Sequence, residues 1–124
     1  MGRAALIGAG VSAFLAMTAV AAPAFAGYGA VAYDESSGKY GFGWNEKTQR
    51  LADEAALRGC TGDQCKIVFR IPPRRCGALA TSDDGKIWRG SVRPTVDAAK
   101  LAALQNCQKS VRGQCVIRGN GCNR

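Results

Sequence analysis

Gly29-Ala30-Val31-Ala32 returns as Gly77-Ala78-Leu79-Ala80, and the reading of that echo decides the fold. The offset is 48 residues, and further echoes follow at 47: Ser37-Gly38-Lys39-Tyr40 with Asp84-Gly85-Lys86-Ile87, Gly43 with Gly90, and Ala55-Ala56-Leu57 before Cys60 with Ala102-Ala103-Leu104 before Cys107. Near-constant spacing across short matches marks a degenerate internal repeat, one supersecondary unit used twice. The two copies run from about 28 to 76 and from 77 to 122.

Each copy reads as strand, strand, helix, strand. Tyr28 to Tyr33 and Lys39 to Trp44 flank the polar Asp34-Glu35-Ser36-Ser37-Gly38, which has the composition of a hairpin loop. Tyr40, Phe42 and Trp44 alternate with Gly41 and Gly43, so the aromatic residues share one face of a strand. Leu51, Ala52, Ala55 and Ala56 recur at helical spacing from Thr48 to Arg58, ahead of Gly59. Lys66 to Ile71 is a further strand, halted by Pro72-Pro73. The second copy has strands near Gly77 to Thr81 and Ile87 to Val92. Its helix spans Val96 to Gln108, capped by Thr95, and Cys115 to Arg118 forms a short last strand. Two such units bury their helices best on a shared antiparallel sheet, which makes the expected class a small disulfide-stabilised α+β fold.

The 124 residues begin with a segment of different character. Met1 to Ala26 combines Arg3, an uncharged run from Ala4 to Ala22, and the small-residue motif Ala24-Phe25-Ala26, the three parts of a secretion signal cut before Gly27. A retained anchor is the competing reading, but the run is rich in Ala and Gly and ends at Pro23. No cysteine near the cut offers a lipid attachment point, so no transmembrane segment is expected after cleavage. Gly8-Ala9-Gly10 superficially matches a dinucleotide-binding loop without the strand, helix or downstream acid that motif requires. Residues 27–124 then form one domain, expected as a monomer in the periplasm or outside the cell.

Six cysteines, Cys60, Cys65, Cys76, Cys107, Cys115 and Cys122, read as structural staples in such a compartment. They allow 15 pairings. Pseudo-symmetry favours Cys60 with Cys65 and Cys107 with Cys115, each linking a helix end to the next strand, and Cys76 with Cys122 across the halves. Zinc fits less well, because the intervening gaps are four, ten, thirty, seven and six residues and histidine is absent.

The opening Tyr28-Gly29-Ala30-Val31-Ala32-Tyr33, the Ser37-Gly38 turn, the Ala55-Ala56-Leu57 helix ending at Cys60, Cys65, and the Cys76-Gly77-Ala78-Leu79-Ala80 block together resemble a known family. It comprises small exported bacterial proteins known only as a domain of unknown function. The resemblance covers essentially all of Gly27 to Cys122, with the Cys-Gly-Ala-Leu-Ala block its most specific part. It implies a bacterial exported domain and carries over neither an activity nor catalytic residues.

Absence of histidine removes the commonest general base and metal ligand. Catalysis would fall to Asp34, Glu35, Glu46, Asp53, Glu54, Asp83 or Asp84, most of which sit in expected loops or on a helix surface, where solvating roles are the plainer reading. No catalytic residue, metal or cofactor is therefore expected. The aromatic row Tyr40, Phe42, Trp44 could stack on sugars or bases, but a domain this small needs it for its core. Charge is more informative. Without the leader the chain carries 16 basic and 9 acidic residues, and from Gln64 onward twelve basic residues face three acidic ones. Arg70, Arg74, Arg75, Arg89 and Arg93 are the expected binding residues, since guanidinium groups recognise carboxylate and phosphate. The expected partners are an anionic envelope polymer, membrane headgroups or an acidic protein; no nucleic-acid motif is present. A non-catalytic binding module is the leading reading. A secreted effector or enzyme inhibitor is the alternative, and a carboxylate hydrolase a weaker third.

Intact-mass measurement of the exported protein should find Gly27 at its N-terminus. A full-length chain held in the membrane would overturn that reading.

Overall fold

Alternation in the strands sorts small side chains to one face and large ones to the other, and the whole architecture follows from that sorting. The computed structural model describes Gly2, residues 8–16 and residues 26–124. The leader reading falls largely outside the described residues; residues 8–16 carry no helix or strand. Eight elements succeed one another: β1 (Tyr28–Tyr33), β2 (Tyr40–Glu46), α1 (Gln49–Gly59), β3 (Lys66–Ile71), β4 (Cys76–Ser82), β5 (Trp88–Arg93), α2 (Val96–Ser110) and β6 (Cys115–Cys122). Both helices open on a threonine cap. The Thr48 hydroxyl accepts from the Leu51 N–H at 3.1 Å and the Thr95 hydroxyl from the Ala98 N–H at 3.2 Å.

The α+β class and the repeated β-β-α-β unit stand, but the strands do not share one sheet. They divide into two antiparallel three-stranded sheets, ordered β2-β1-β3 and β5-β4-β6. The reason lies in the last strand of each unit. β3 returns to the free edge of β1 and β6 to that of β4, so the hydrogen-bonding edges of both central strands are satisfied within the unit. What remains to bury is a face, not an edge.

Ala30 and Ala32 of β1 pack under Ala52 and Ala56 of α1; Ala78 and Ala80 of β4 pack under Ala99, Ala103 and Cys107 of α2. Val31, Tyr33, Ile71 and Leu79 point the other way into a third cluster, joined by Tyr40, Phe42, Trp44, Val68, Phe69, Trp88 and Val92. The layers are therefore α1, first sheet, second sheet, α2. Between the sheets the fit is rings on glycines. Cβ atoms placed at Gly119 and Gly121 of β6 would run into Phe42 and Trp44 of β2, and one at Gly90 of β5 would run into Phe69 of β3. These contacts set β2 over β6 and β3 over β5.

The register accounts for the drift between the two repeat offsets. Ala30 pairs with Gly43 and Tyr28 with Glu46, which leaves one extra residue in β2, and Asn45 takes up the bulge with a φ of 54°. The β4/β5 ladder has no such shift. Strands before the bulge are thus offset by 48 and the helices after it by 47, so Tyr40, opposite Tyr33, corresponds to Trp88, opposite Thr81, and not to Ile87 as the sequence offset implies. Gly43 consequently corresponds to Ser91, not to Gly90 as the sequence offset implies: Gly43 faces α1, whereas Gly90 faces the intersheet core.

Three disulfides join Cys60 to Cys65, Cys107 to Cys115 and Cys76 to Cys122, leaving no free cysteine. Two details differ from the sequence reading. Cys107 lies within α2 rather than at its end. Cys76 opens β4 directly opposite Cys122 of β6, so its bridge belongs to the second unit and does not cross the halves. By loop length that bridge contributes about 4 kcal/mol and the two short ones about 2 to 3 kcal/mol each in the chain-entropy picture.

A polar knot joins the units instead. The buried Asn123 amide donates to the Ile71 carbonyl at 2.7 Å and to that of Pro72 at 3.2 Å, and its oxygen accepts from the Asn45 N–H at 2.9 Å. Asn45 in turn accepts from the Arg124 N–H at 2.7 Å. No helix among the described residues is long and apolar enough to cross a membrane.

Since a Cβ at Gly43 would overlap the Ala52 carbonyl oxygen, Gly43→Ala should destabilise the oxidised domain by about 1 to 3 kcal/mol or more. Gly113, with open space around it, serves as the control: Gly113→Ala should fall within about 0.5 kcal/mol of the parent in denaturant melts.

Candidate functional site

The connection Pro72-Pro73-Arg74-Arg75 carries the chain from one sheet to the facing one in four residues. The two prolines stop β3, and Arg74 then adopts a left-handed φ of 63°. Such a conformation costs a non-glycine residue about 1 kcal/mol or more and persists only when its surroundings hold it. Here the last residues do so: the Arg74 N–H donates to the Arg124 carbonyl at 3.2 Å and the Asn123 N–H to the Arg75 carbonyl at 2.9 Å. With the backbone fixed on both sides, the Arg74 and Arg75 side chains are left exposed.

Arg93 reaches the same end of the molecule, because it pairs with Cys76 at the foot of the β4/β5 ladder. Its guanidinium donates to the Val92 carbonyl at 2.8 Å and is otherwise turned to solvent. Arg124 belongs here too, and the sequence reading missed it. A signal was available, since a Cys76 to Cys122 bridge sets the residue two past Cys122 beside the one two before Cys76.

The other two expected arginines are placed elsewhere. Arg70 projects from β3 toward α1 and holds Asp53 through both carboxylate oxygens, Nη2 to Oδ2 at 2.8 Å and Nε to Oδ1 at 3.1 Å. Gln49 adds a hydrogen bond to the same carboxylate at 2.9 Å. Arg89 pairs with Ala80, toward the opposite end of the ladder, and donates to the Trp88 carbonyl at 2.6 Å. The five residues therefore do not form one patch; Arg74, Arg75 and Arg93 gather with Arg124 at the end where both strand pairs finish.

Charge also divides by layer. Residues 27–71, which build α1 and the first sheet, hold six basic and six acidic residues, whereas residues 72–124 hold ten basic and three acidic. Lys66 and Arg70, counted by sequence with the basic half, lie in the balanced first unit.

Five of the seven candidate carboxylates, Asp34, Glu35, Asp53, Glu54 and Asp84, are engaged within the fold. Asp34 is fully buried at the end of β1, where it accepts from the Ser36 hydroxyl at 2.6 Å, the Ser36 N–H at 2.9 Å and the Gln64 N–H at 3.2 Å. The Ser36 hydroxyl is the main cause holding its carboxyl well below the usual carboxylate range. The Arg70 guanidinium lowers Asp53, and the Ser82 hydroxyl lowers Asp84. All three move away from the raised pKa a general acid needs. Glu54 pairs with Arg50, and Glu35 accepts from the Trp88 indole N–H at 3.3 Å. Among the described residues no three acids or cysteines converge on a metal-sized space. The aromatic row is half-buried, with Phe42 stacked on Trp44 at 5.8 Å over the β6 glycines, so it serves the core first.

The chain belongs to the family described as domain of unknown function DUF4189, whose model matches residues 28–122. Among its relatives, protein Rv1269c of Mycobacterium tuberculosis is 36% identical over 77 residues, covering 62% of this chain and 58% of that protein. Uncharacterized protein Rv1813c of the same organism is 37% identical over 81 residues, covering 65% and 53%. Protein Mb1300c of Mycobacterium bovis is 36% identical over 77 residues, again covering 62% and 58%. The chain thus spans just over half the length of the curated relatives it matches. No solved structure matches it.

A depressed native pKa at Asp34 stabilises the fold above the ordinary carboxylate pKa of about 3.9, and that contribution is lost as pH falls toward the native value. Asp34→Asn should therefore lower the urea midpoint clearly at pH 7, and the gap to the parent should close steadily below about pH 4. A gap independent of pH would mean that the carboxylate charge plays no part.

Proposed function

We propose that this domain is a non-catalytic, exported binding module that docks on an anionic partner through the end bearing Arg74, Arg75, Arg93 and Arg124. The observation that carries the reading is the strained, doubly tied Arg74-Arg75 backbone, which offers two guanidinium groups from a rigid connection rather than from a mobile loop. Presenting them so reduces the entropy lost on binding, and guanidinium geometry suits carboxylate and phosphate oxygens. Three disulfides and the absence, among the described residues, of a helix fit to cross a membrane support a periplasmic or extracellular place of action. Asp34, Asp53 and Asp84 argue against the hydrolase reading, since each is bound by hydrogen bonds within the fold that hold its carboxyl below the usual carboxylate range. Because the partner is met by charge, an anionic envelope polymer, a headgroup surface or an acidic protein face would each serve.

Titration of the oxidised protein onto anionic vesicles and onto an immobilised polyanion tests this. Affinity should fall steeply with added salt, because exposed charges are screened beyond about 8 Å at physiological ionic strength. Arg74→Ala with Arg75→Ala should cost about 1 to 2 kcal/mol, or roughly tenfold, without unfolding the domain. Lys39→Ala with Lys86→Ala is the fitting control, as both sit in the hairpin loops at the far end, whereas Lys47 follows β2 at the arginine end. Salt-insensitive binding to one stoichiometric protein partner would instead favour the inhibitor reading, with the Pro72 to Arg75 connection inserted into that partner.

A further inference from the structure

The two units close their loop ends differently, and the difference leaves a pocket. In the first unit the loop inside the Cys60–Cys65 bridge folds onto the hairpin after β1. Asp34 accepts from the Gln64 N–H, and Gly62 lies so close that a Cβ there would overlap the Asp34 carboxylate and crowd the Ser37 hydroxyl. The gap between hairpin and loop is filled by the chain's own carboxylate.

Register gives the counterparts in the second unit. Tyr33 pairs with Tyr40 and Lys66, and Thr81 with Trp88 and Val116, so Ser82 stands where Asp34 stands and Gln114 where Gln64 stands. Arg112 replaces Gly62. The Cys107–Cys115 bridge spans 8 positions in sequence against 5 for Cys60–Cys65. No carboxylate extends from position 82, and the Ser82 hydroxyl turns to Asp84 at 2.7 Å. Between the two loops lies an open pocket of about 410 Å³, lined by Ser82, Asp83, Asp84, Ile87 and residues 111–114. Its size is within the range of small-molecule sites.

The lining has three chemistries in separate places. Arg112 and Gln114 come from the α2–β6 loop, the counterpart of the loop whose Gln64 N–H meets a carboxylate in the first unit. Asp83 and Asp84 come from the hairpin, and Ile87 and Val111 are apolar. Asp84 uses Oδ1 for the Ser82 hydroxyl and for the Lys86 N–H at 3.0 Å, and the Ser82 hydroxyl is the main cause holding its carboxyl below the usual carboxylate range. Neither a simple anion nor a simple cation satisfies both loops. We propose that this pocket binds an α-amino acid zwitterion with an apolar side chain: the carboxylate at Arg112 and the Gln114 N–H, the ammonium at Asp83 and Asp84, the side chain on Ile87 and Val111. The ligand's carboxylate takes the place that Asp34 fills in the first unit. This site is at the opposite end from the arginines and does not depend on the proposed docking function.

Amide NMR of the oxidised protein titrated with L-leucine reads this directly. Residues 82–87 and 111–115 should shift and saturate, and N-acetyl-leucine and leucinamide, each lacking one charge, should bind at least about tenfold more weakly. Arg112→Gln should weaken leucine by about tenfold. Ser82→Asp, which supplies the missing carboxylate from the chain itself, should abolish binding while the spectrum of the first unit stays unchanged. Absence of shifts at millimolar leucine, equal binding of the capped derivatives, or undiminished binding by Arg112→Gln in a folded spectrum would overturn the proposal.

Discussion

Volume between layers is the constraint on which everything else rests. The helix-to-sheet gaps hold alanine and glycine, so that at Gly41 and Gly43 the backbone of β2 touches the backbone of α1. Nearly all the bulk of the domain is consequently assigned to the gap between the sheets. There it is accommodated because rings carried by the first sheet meet glycine backbone in the second. Interiors pack at the density of organic crystals, so a methyl group added at either kind of contact has nowhere to go. For a domain of this length, whose core is necessarily small, dense packing and cross-links together replace the burial a larger protein achieves by size.

The same arrangement gives the molecule two unlike ends. Where the strands of each unit finish, both chain connections are tied by Asn123 and Asn45, and a non-glycine residue is held in a left-handed conformation. Where the hairpins turn, Gly38 and Gly85 lie against each other and the Tyr33 hydroxyl donates to the Gly85 carbonyl. At one end the backbone carrying Arg74 and Arg75 is tied on both sides by the last residues of the chain. At the other, a closed loop and an open loop stand side by side on nearly symmetric frameworks.

Much of this was legible in the sequence because it is local or periodic. Thr48 and Thr95 announce the helices, the Tyr40-Phe42-Trp44 alternation announces its strand, and the doubled pattern brings the cysteines into a pairing scheme. What was not legible depends on a choice between distant partners. Whether β3 would pair with β1 or with the next unit is undetermined by its own residues, so two sheets could not be told from one. The bulge at Asn45 is a single added residue in a glycine-rich strand, and it made Gly43 look equivalent to Gly90 although their Cα atoms face different layers. Arg70 read as free because its partner Asp53 is 17 positions away on a helix whose rotation over the sheet no pattern records. Arg74 and Arg75 were legible as binding candidates outside the strands because Pro72-Pro73 halts β3 before them and Cys76 follows them.

All three disulfides close within a unit, and only residues 72–75 join the halves covalently. The contact between halves is a lock and its key rather than two equal surfaces. Phe42, Trp44 and Phe69 of the first unit are the rings, and Gly119, Gly121 and Gly90 of the second unit are the backbone they lie on. The four-residue connection 72–75 thus joins two halves whose facing surfaces are complementary rather than alike, so a molecule built on a repeated unit is asymmetric where its halves meet.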